Sequence, residues 1–400
     1  MYDKTPTELL GYHNSMLFDE KRTGSFLRAI LGGVNPGDMV LDIGTGTGIL
    51  ALFACLAGAR HVYAVEQGPV LEIARQVVRQ NGYQDRITFV RDWSINIKLP
   101  ERVDVLISET IGNIGIDEGI LGWIIDARRR LLSNGGTIIP RRVDLVAAPV
   151  ESQNDYNIVE DWLKDVYSFD FSAAKFIAAN NLLWTELSPE SLLSKPSTLA
   201  TVNLVNVDSE EIHGVTSFVI KRDGLIHGIG CWFISELTPG IELSNAPPNR
   251  TPSWMHGFLP LERPTKVCTD DLLIVEVNVK ANAAQWEWKV SLDGNSVQEV
   301  RSSRTTQIAS QTTLAGQLVS EFEPTLLGQK PSRTTEAEVD LIILGLMDGK
   351  MTIREIAQHT VERFPTHFTS IENAQERVQF LYEYYGRLRS NAKFKFMELQ

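Results

Sequence analysis

Between about Val40 and Val146 the chain alternates short apolar runs with helical stretches, and no other feature narrows its fold so far. MVLDI, HVYAV, ITFV, VDVLI and GTIIP read as strands; ILALFACLAG and PVLEIARQVVRQNG read as helices between them. Alternation of this kind requires a parallel sheet with helices on both faces, an α/β fold. Ligands of such sheets sit at the carboxyl ends of the strands. The residues at those ends therefore decide what the chain does.

The first strand runs into VLDIGTGTG, Val40 to Gly48. Gly44, Gly46 and Gly48 allow a ligand to approach the backbone where a side chain would block it. Several nucleotide-binding folds share such turns. The next strand ends in an acid, Glu66, suited to accepting both hydroxyls of a ribose. Asp42 stands before the glycines, where it would repel a pyrophosphate and attract a cation. That combination fits the amino group or sulfonium of S-adenosylmethionine. After ITFV come Asp92 and Trp93, placed to accept an adenine amine and to lie against its face. A loop acid and a core tryptophan fit those two positions equally well.

The fourth strand leads into SETIGNIGIDEG, Ser108 to Gly119. Glu109 ends the strand and Glu118 returns after a loop containing Gly112 and Gly115. Two carboxylates brought together this way repel unless a cation lies between them. A planar guanidinium with five donors is the best match.

Past Arg142 the texture changes. TSFVIKRDGLIHGIGCWFISEL and DLLIVEVNVKANAAQWEWKVSLDG are β-rich with turns at RDG and DG, so residues 143–304 read as an antiparallel β domain. Within it an arm of about residues 155–180, containing DWLKDVYSFDFSAAKFIAAN, is helical and apolar on one side. Residues 305–333, rich in Ser, Thr and Gln, read as a linker. Residues 334–400 read as a helical domain. Thr352 with Glu355 and Thr369 with Glu372 form capping-box patterns there. Leu341, Leu344, Ile356, Phe380, Leu381 and Leu388 are its expected core.

The formal charge of −12 argues against nonspecific binding to nucleic acid or an anionic membrane and suits a cationic substrate. Cys55, Cys231 and Cys268 are few, odd in number and widely spaced, which implies reduced thiols and no metal site. The first residues lack a signal-peptide pattern, so a cytoplasmic location is expected.

Taken in order, HNSMLFDEKRT, VLDIGTGTGILALFACLAGARHVYAVE, SETIGNIGIDEG, LLSNGGTIIPRRVDL, DVYSFDFS and TPSWMHGFLPL resemble the protein arginine methyltransferases across roughly residues 11–304. The resemblance implies a Rossmann-like S-adenosylmethionine-binding domain in residues 1–142. It implies a β-barrel in residues 143–304, with the 155–180 insertion as a dimerisation arm of a head-to-tail homodimer. By the same resemblance Glu109 and Glu118 clamp a guanidinium, and Arg22 pairs with the cofactor carboxylate. Gly44, Gly46 and Glu66 hold the amino-acid and ribose parts, Met16 lies near the reacting methyl, and Trp254 and His13 line the substrate pocket. The acceptor is then an arginine of a protein or precursor peptide, or the free amino acid.

The match departs from the family at several positions. The family's N-terminal tyrosines, which close over the cofactor, have no counterpart in MYDKTPTELLGY. Its Thr-His-Trp loop reads Pro252-Ser253-Trp254, so Asp19 loses a histidine partner; His256 is not expected to replace it. Its Trp-Met after the first glutamate reads Thr110-Ile111, and its adenine-binding glutamate has no clear match. These changes keep two alternatives open, a small-molecule N-methyltransferase with another acceptor and a noncatalytic dimeric scaffold. The tail resembles the helical part of winged-helix and PqqD-like modules. Its balanced charge favours peptide binding or packing over DNA.

Overall fold

Five parallel strands organise the first part of the chain in the computed structural model, which describes residues 6–247, 251–281, 285–304, 335–347, 350–365, 367–368 and 370–385. They are β1 (Met39–Ile43), β2 (His61–Val65), β3 (Ile87–Val90), β4 (Val103–Ser108) and β5 (Leu132–Ile139). The sheet order is β3-β2-β1-β4-β5. The chain fills one side of β1 first and then crosses to the other, so the crevice between β1 and β4 is the switch point where such folds bind ligands. Val40, Leu41, Val62, Leu106 and Ile107 are wholly buried because helices cover both faces. Ile43 lies opposite Ser108 in the register. The glycine turn after β1 and Glu109 after β4 therefore leave the sheet side by side.

The helices around this sheet are α1 (Pro6–Leu17), α2 (Glu20–Gly33), α3 (Ile49–Ala57), α4 (Leu71–Gln80) and α5 (Ile120–Arg130). Gly48 caps α3 at φ +87°, and Gly119 caps α5 at φ +85°. Both positions suit glycine, which has no Cβ to clash there. Asp19 caps α2, its carboxylate accepting from the Arg22 amide at 3.1 Å.

The β domain begins at Arg142 with two antiparallel sheets. One contains β6 (Arg142–Val150), β7 (Leu183–Thr185), β8 (Ser197–Asn203), β10 (Gly224–Thr238), β11 (Ile241–Ser244) and β12 (His256–Val267). The other contains β9 (Glu211–Val219), β13 (Leu272–Lys280), β14 (Gln285–Leu292) and β15 (Asn295–Arg304). Their inner residues, such as Ala147, Cys231, Val275 and Trp288, share one continuous core with the parallel sheet. Both β regions and the α/β part thus fall in one compact unit, Met1–Thr313.

The insertion contains α6 (Gln153–Glu160) and α7 (Ala173–Ala179). Tyr156, Val159 and Ala179 bury against Trp232 and Phe258 of the barrel. Ile158, Leu163, Tyr167, Phe169 and Phe176 face outward and are exposed.

The second unit, Leu314–Gln400, contains α8 (Thr335–Leu346), α9 (Ile353–Arg363) and α10 (Ile371–Tyr385). The Thr352–Glu355 capping box is present in full. Ile356 and Leu381 are buried and Leu344 packs beside them. Leu341 does not join this core and is half exposed, because Val339 and Ile343, four apart, define the inner stripe and Leu341 falls between them. The side chain of Phe380 lies outside the described residues, as do Thr369, Leu388 and the 305–333 linker.

Candidate active site

The glycine turn is held open by its own backbone. Gly44, Gly46 and Gly48 have φ values of +75°, +54° and +87°. The amides of Gly44 and Thr45 both donate to the Val65 carbonyl at the end of β2, at 2.9 and 3.0 Å. A Cβ on Gly44 would stand 3.0 Å from Thr110 Cγ2, and one on Gly46 would stand 3.3 Å from His13 Cε1. Side chains here would fill the cradle that a ligand needs.

Asp42 lies beneath the turn, completely buried. Its Oδ2 accepts from the Thr45 hydroxyl at 2.6 Å, while Oδ1 has no hydrogen-bond partner. Burial pushes the carboxyl up to about 7, the Thr45 bond opposes the rise and the Glu66 charge adds to it. The Ala51 amide also favours the anion, so the carboxylate is only partly satisfied by the protein. Glu66 closes over the turn from β2, Oε2 accepting from the Gly46 amide at 3.2 Å and Oε1 from the Gly68 amide at 2.6 Å. Asp92 Oδ1 accepts from the Trp93 amide at 2.7 Å and from Asn96 Nδ2 at 2.8 Å. The exposed Trp93 ring lies against Trp123, centroids 5.4 Å apart and 30° from parallel. Trp123 was not read from the sequence as part of this edge.

The loop between the glutamates is built around a third acid. Asp117 accepts from the amides of Asn113 and Ile114 at 3.1 and 2.9 Å, and burial pushes its carboxyl up to about 6. Gly112, at φ +73°, leaves room for that carboxylate, which a Cβ would strike at 2.4 Å. The loop is also fastened to the barrel. Asn245 Nδ2 donates to the carbonyls of Asn113 and Met255, each at 2.8 Å, and the Met255 amide donates to Asn113 Oδ1 at 2.8 Å. This cross-link ties the Trp254 loop to the loop between the glutamates. Asparagine gives no periodic or motif signal, so Asn113 and Asn245 were illegible in the sequence.

The cation that two carboxylates require is supplied by the chain itself. Arg22 Nη2 forms an ion pair with Glu109, and Nη1 donates to the Met16 carbonyl at 2.9 Å. The guanidinium carbon lies 5.7 Å from the centroid of the Trp254 ring, which is packed edge-on against Phe233. Burial lowers Arg22 to about 10, while Tyr12, Glu118 and Asp19 hold it up, so it stays charged at neutral pH. Arg22, expected at the cofactor carboxylate, thus rests on Glu109 here. Tyr12 donates to Glu118 Oε1 at 3.5 Å. His13, expected in the substrate pocket, borders Gly46 at the glycine turn, next to Tyr12.

Asp19 keeps a partner despite the lost histidine. Ser253 donates to Asp19 Oδ2 through its hydroxyl at 2.7 Å and its amide at 3.3 Å. A hydroxyl there cannot titrate near neutrality, so the contact is a latch between α2 and the Trp254 loop, without an imidazole base. His256 does not substitute. It is buried with Nδ1 accepting from the Leu187 amide at 2.9 Å and Nε2 donating to the Asn245 carbonyl at 2.7 Å.

Residues 141–293 match the family described as arginine methyltransferase oligomerization subdomain, and residues 21–140 match ribosomal protein L11 methyltransferase. The chain is 30% identical to protein arginine N-methyltransferase 1 of Dictyostelium discoideum over 302 residues, 73% of this chain and 89% of that protein. It is 32% identical to protein arginine N-methyltransferase 6 of Xenopus tropicalis over 282 residues, 67% of this chain and 83% of the relative. Among solved structures, it resembles Arabidopsis thaliana protein arginine methyltransferase 10, with a TM-score of 0.61, 25% identity and coverage of 73% of this chain and 97% of that one. The Trypanosoma brucei PRMT1 enzyme-prozyme complex with AdoHcy shares the fold, with a TM-score of 0.66, 23% identity and coverage of 73% and 96%.

Proposed function

The chain belongs to the protein arginine N-methyltransferases, and from that premise we propose that it transfers the methyl of S-adenosylmethionine to an arginine of a polypeptide, through the site between β1 and β4. The observation that carries this reading is the pair Glu109 and Glu118, flanking a loop beside the glycine turn, with the Arg22 guanidinium ion-paired to Glu109 and held up by the Glu118 charge.

The donor site fits the cofactor in charge and in room. Asp42, with one orphaned oxygen, would hold the cationic amino end. Arg22 would take the carboxylate end, Glu66 the ribose hydroxyls, and Asp92 and Trp93 the adenine. When bound, S-adenosylmethionine supplies a methyl on a sulfonium, a cationic electrophile that departs as a neutral thioether.

Glu109 and Glu118 would hold the acceptor guanidinium by paired charge-assisted hydrogen bonds, with Trp254 against its face. A guanidinium is too basic to lose its proton first. The carboxylates instead draw positive charge toward the nitrogens they bind and leave the third nitrogen aimed at the methyl. Positioning and electrostatics supply most of the rate. The new N–C bond would form as the S–C bond of the bound donor broke, its electron pair staying on sulfur. The extra proton then leaves through Glu118 or water, since Ser253 offers no base.

The oligomerization-subdomain match and the exposed apolar arm support a homo-oligomer, which we read as a dimer joined through residues 155–180. Incubation with methyl-labelled cofactor and arginine-rich peptides, free arginine or lysate tests the reaction, with the label located by mass spectrometry. Label is expected on a guanidino nitrogen of a peptide and should fall about a hundredfold or more in Glu109→Gln, which loses a charged partner of the transition state. Label on another atom, or undiminished in the variant, would sink the reading.

A further inference from the structure

Asp117 directly precedes Glu118, yet its carboxylate turns into the loop between the two glutamates. We propose that Asp117 is a positioning residue for the acceptor clamp, its anion drawing the loop's own amides together and so fixing where Glu118 stands relative to Glu109; the assignment rests on the proposed arginine methyl transfer.

The geometry of the loop is the first support. Asp117 Oδ2 accepts from the Asn113 amide at 3.1 Å and Oδ1 from the Ile114 amide at 2.9 Å. The amides of Ile116 and of Asp117 itself also face the carboxylate. Gly112 lets the acid close on the start of the loop, since a Cβ there would stand 2.4 Å from Asp117 Oδ1. Residues 112–114 are thereby tied to the residue just before Glu118. Asn113 is fastened to the barrel in turn, its carbonyl accepting from Asn245 Nδ2 and its Oδ1 from the Met255 amide, each at 2.8 Å. Through Asn113, Asp117 ties the backbone of Glu118 to the Trp254 loop as well as to the strand end at Glu109.

The chemistry of the acid is the second support. Burial favours its neutral form and the amides favour the anion, with the balance at about 6. Asp117 is therefore ionised at neutral pH, where its charge costs the fold stability that the protonated acid would keep. What the anion gains is acceptance from several amides at once, where an asparagine would turn a donor toward one of them. Tyr12 on α1, Asp19 and Arg22 on α2 and the two glutamates are the titratable groups around the loop, and the barrel meets it with Val143, Phe233 and Asn245. Tyr12 and Arg22 lose their protons only well above neutrality, so neither supplies a step near 6.

Asp117→Asn keeps the size of the side chain and removes the charge. With a single-arginine peptide its kcat/KM should fall about tenfold or more, as a displaced carboxylate loses its aim. S-adenosylhomocysteine should still bind one to one, within about twofold of the wild-type affinity. The melting temperature at pH 8 should stay within about 3 °C of wild type, because the lost hydrogen bond and the relieved charge offset one another. A second readout needs no variant: wild-type peptide affinity at saturating S-adenosylhomocysteine should fall as pH drops through about 6, and the asparagine variant should lack that step. An undiminished kcat/KM in the variant overturns the assignment, as does a wild-type peptide affinity that is flat from about pH 5 to pH 8. A loss of rate no larger than the loss of cofactor-binding stoichiometry also overturns it, since that is the mark of a merely structural acid. If the wild-type protein neither methylates nor binds arginine peptides, the proposed function falls instead. A crystal structure of Asp117→Asn then decides the role of the acid, and an unchanged separation of Glu109 from Glu118 counts against it.

Discussion

Asp42 shows how one buried carboxyl ties ligand affinity to pH. Its burial holds the folded-state value at about 7, against about 4 in an unfolded chain. Between those values the folded chain binds more protons than the unfolded one. The resulting stability is fully present at low pH and is lost as pH rises through about 7. Above that, the ionised Asp42 is a cost that a bound cation offsets. If the cofactor's ammonium selects the ionised form, S-adenosylmethionine should bind roughly tenfold more tightly at pH 8 than at pH 6, following the ionised fraction. Titration calorimetry across that range checks this, with Asp42→Asn expected to bind weakly and without the slope. A flat wild-type profile, or an equal slope in the variant, would remove Asp42 from the cation site. The acid before the glycines was legible because a charge at a strand end is a local signal. The occupancy of Glu109 by Arg22 was not legible, since it depends on two elements meeting across the crevice.

The loop from β4 to α5 is the element on which the acceptor side depends, and its glycines serve different purposes. Gly115 has φ +97°, and a Cβ there would stand 2.4 Å from Val143 Cγ1 on β6 and 3.0 Å from Phe233 Cβ on β10. Gly115→Ala should therefore push the loop off the barrel and cost about 2–4 kcal/mol, combining left-handed strain with overpacking. Gly135 is a matched control, with φ +77° and open space around it, so Gly135→Ala carries the backbone strain alone. Thermal melts should separate the two by several degrees, and Gly115→Ala should also lose methyl transfer as Glu118 shifts. Equal melting points would show that the loop is not wedged against the barrel. Strands such as MVLDI and HVYAV were readable to the residue because most positions are apolar and their inward positions are buried, MVLDI throughout. Helix α1 was not readable: it meets the site through the polar Tyr12 and His13, while Leu10 stays half exposed, so it has no apolar stripe. Leu341 was misplaced for the converse reason, an apolar residue set off the inner stripe of a correctly read helix.

Among the described residues, two apolar surfaces are left wet in a monomer. On the arm, Tyr167 is 93% exposed and Phe169 68%, with Ile158, Leu163, Val166, Phe171 and Phe176 beside them in sequence. Tyr167 and Ser168 have φ values of +52° and +67°, an unfavourable backbone for non-glycine residues that lifts the tyrosine outward. On the α/β part, Leu31 of α2 and Leu56 of α3 are exposed on helices that pack against each other. Seven large arm side chains, each exposing on the order of 100 Å², approach the ~800 Å² per partner of a stable interface. A second copy that lays its arm on the α2–α3 face would bury both surfaces twice in a closed two-fold pair. Activity should depend on that contact, because α2 carries Asp19 and Arg22 at its inner end and its outer face would otherwise be unsupported. Tyr167→Asp with Phe169→Asp should give a monomer by light scattering, and Leu31→Asp with Leu56→Asp should do the same from the other side. Both should lower methyl transfer at least tenfold, and mixing the two should restore one intact interface and part of the activity. A dimer that survives the arm substitutions would place the subunit contact elsewhere. A monomer of undiminished activity would show that α2 holds Arg22 against Glu109 without a partner.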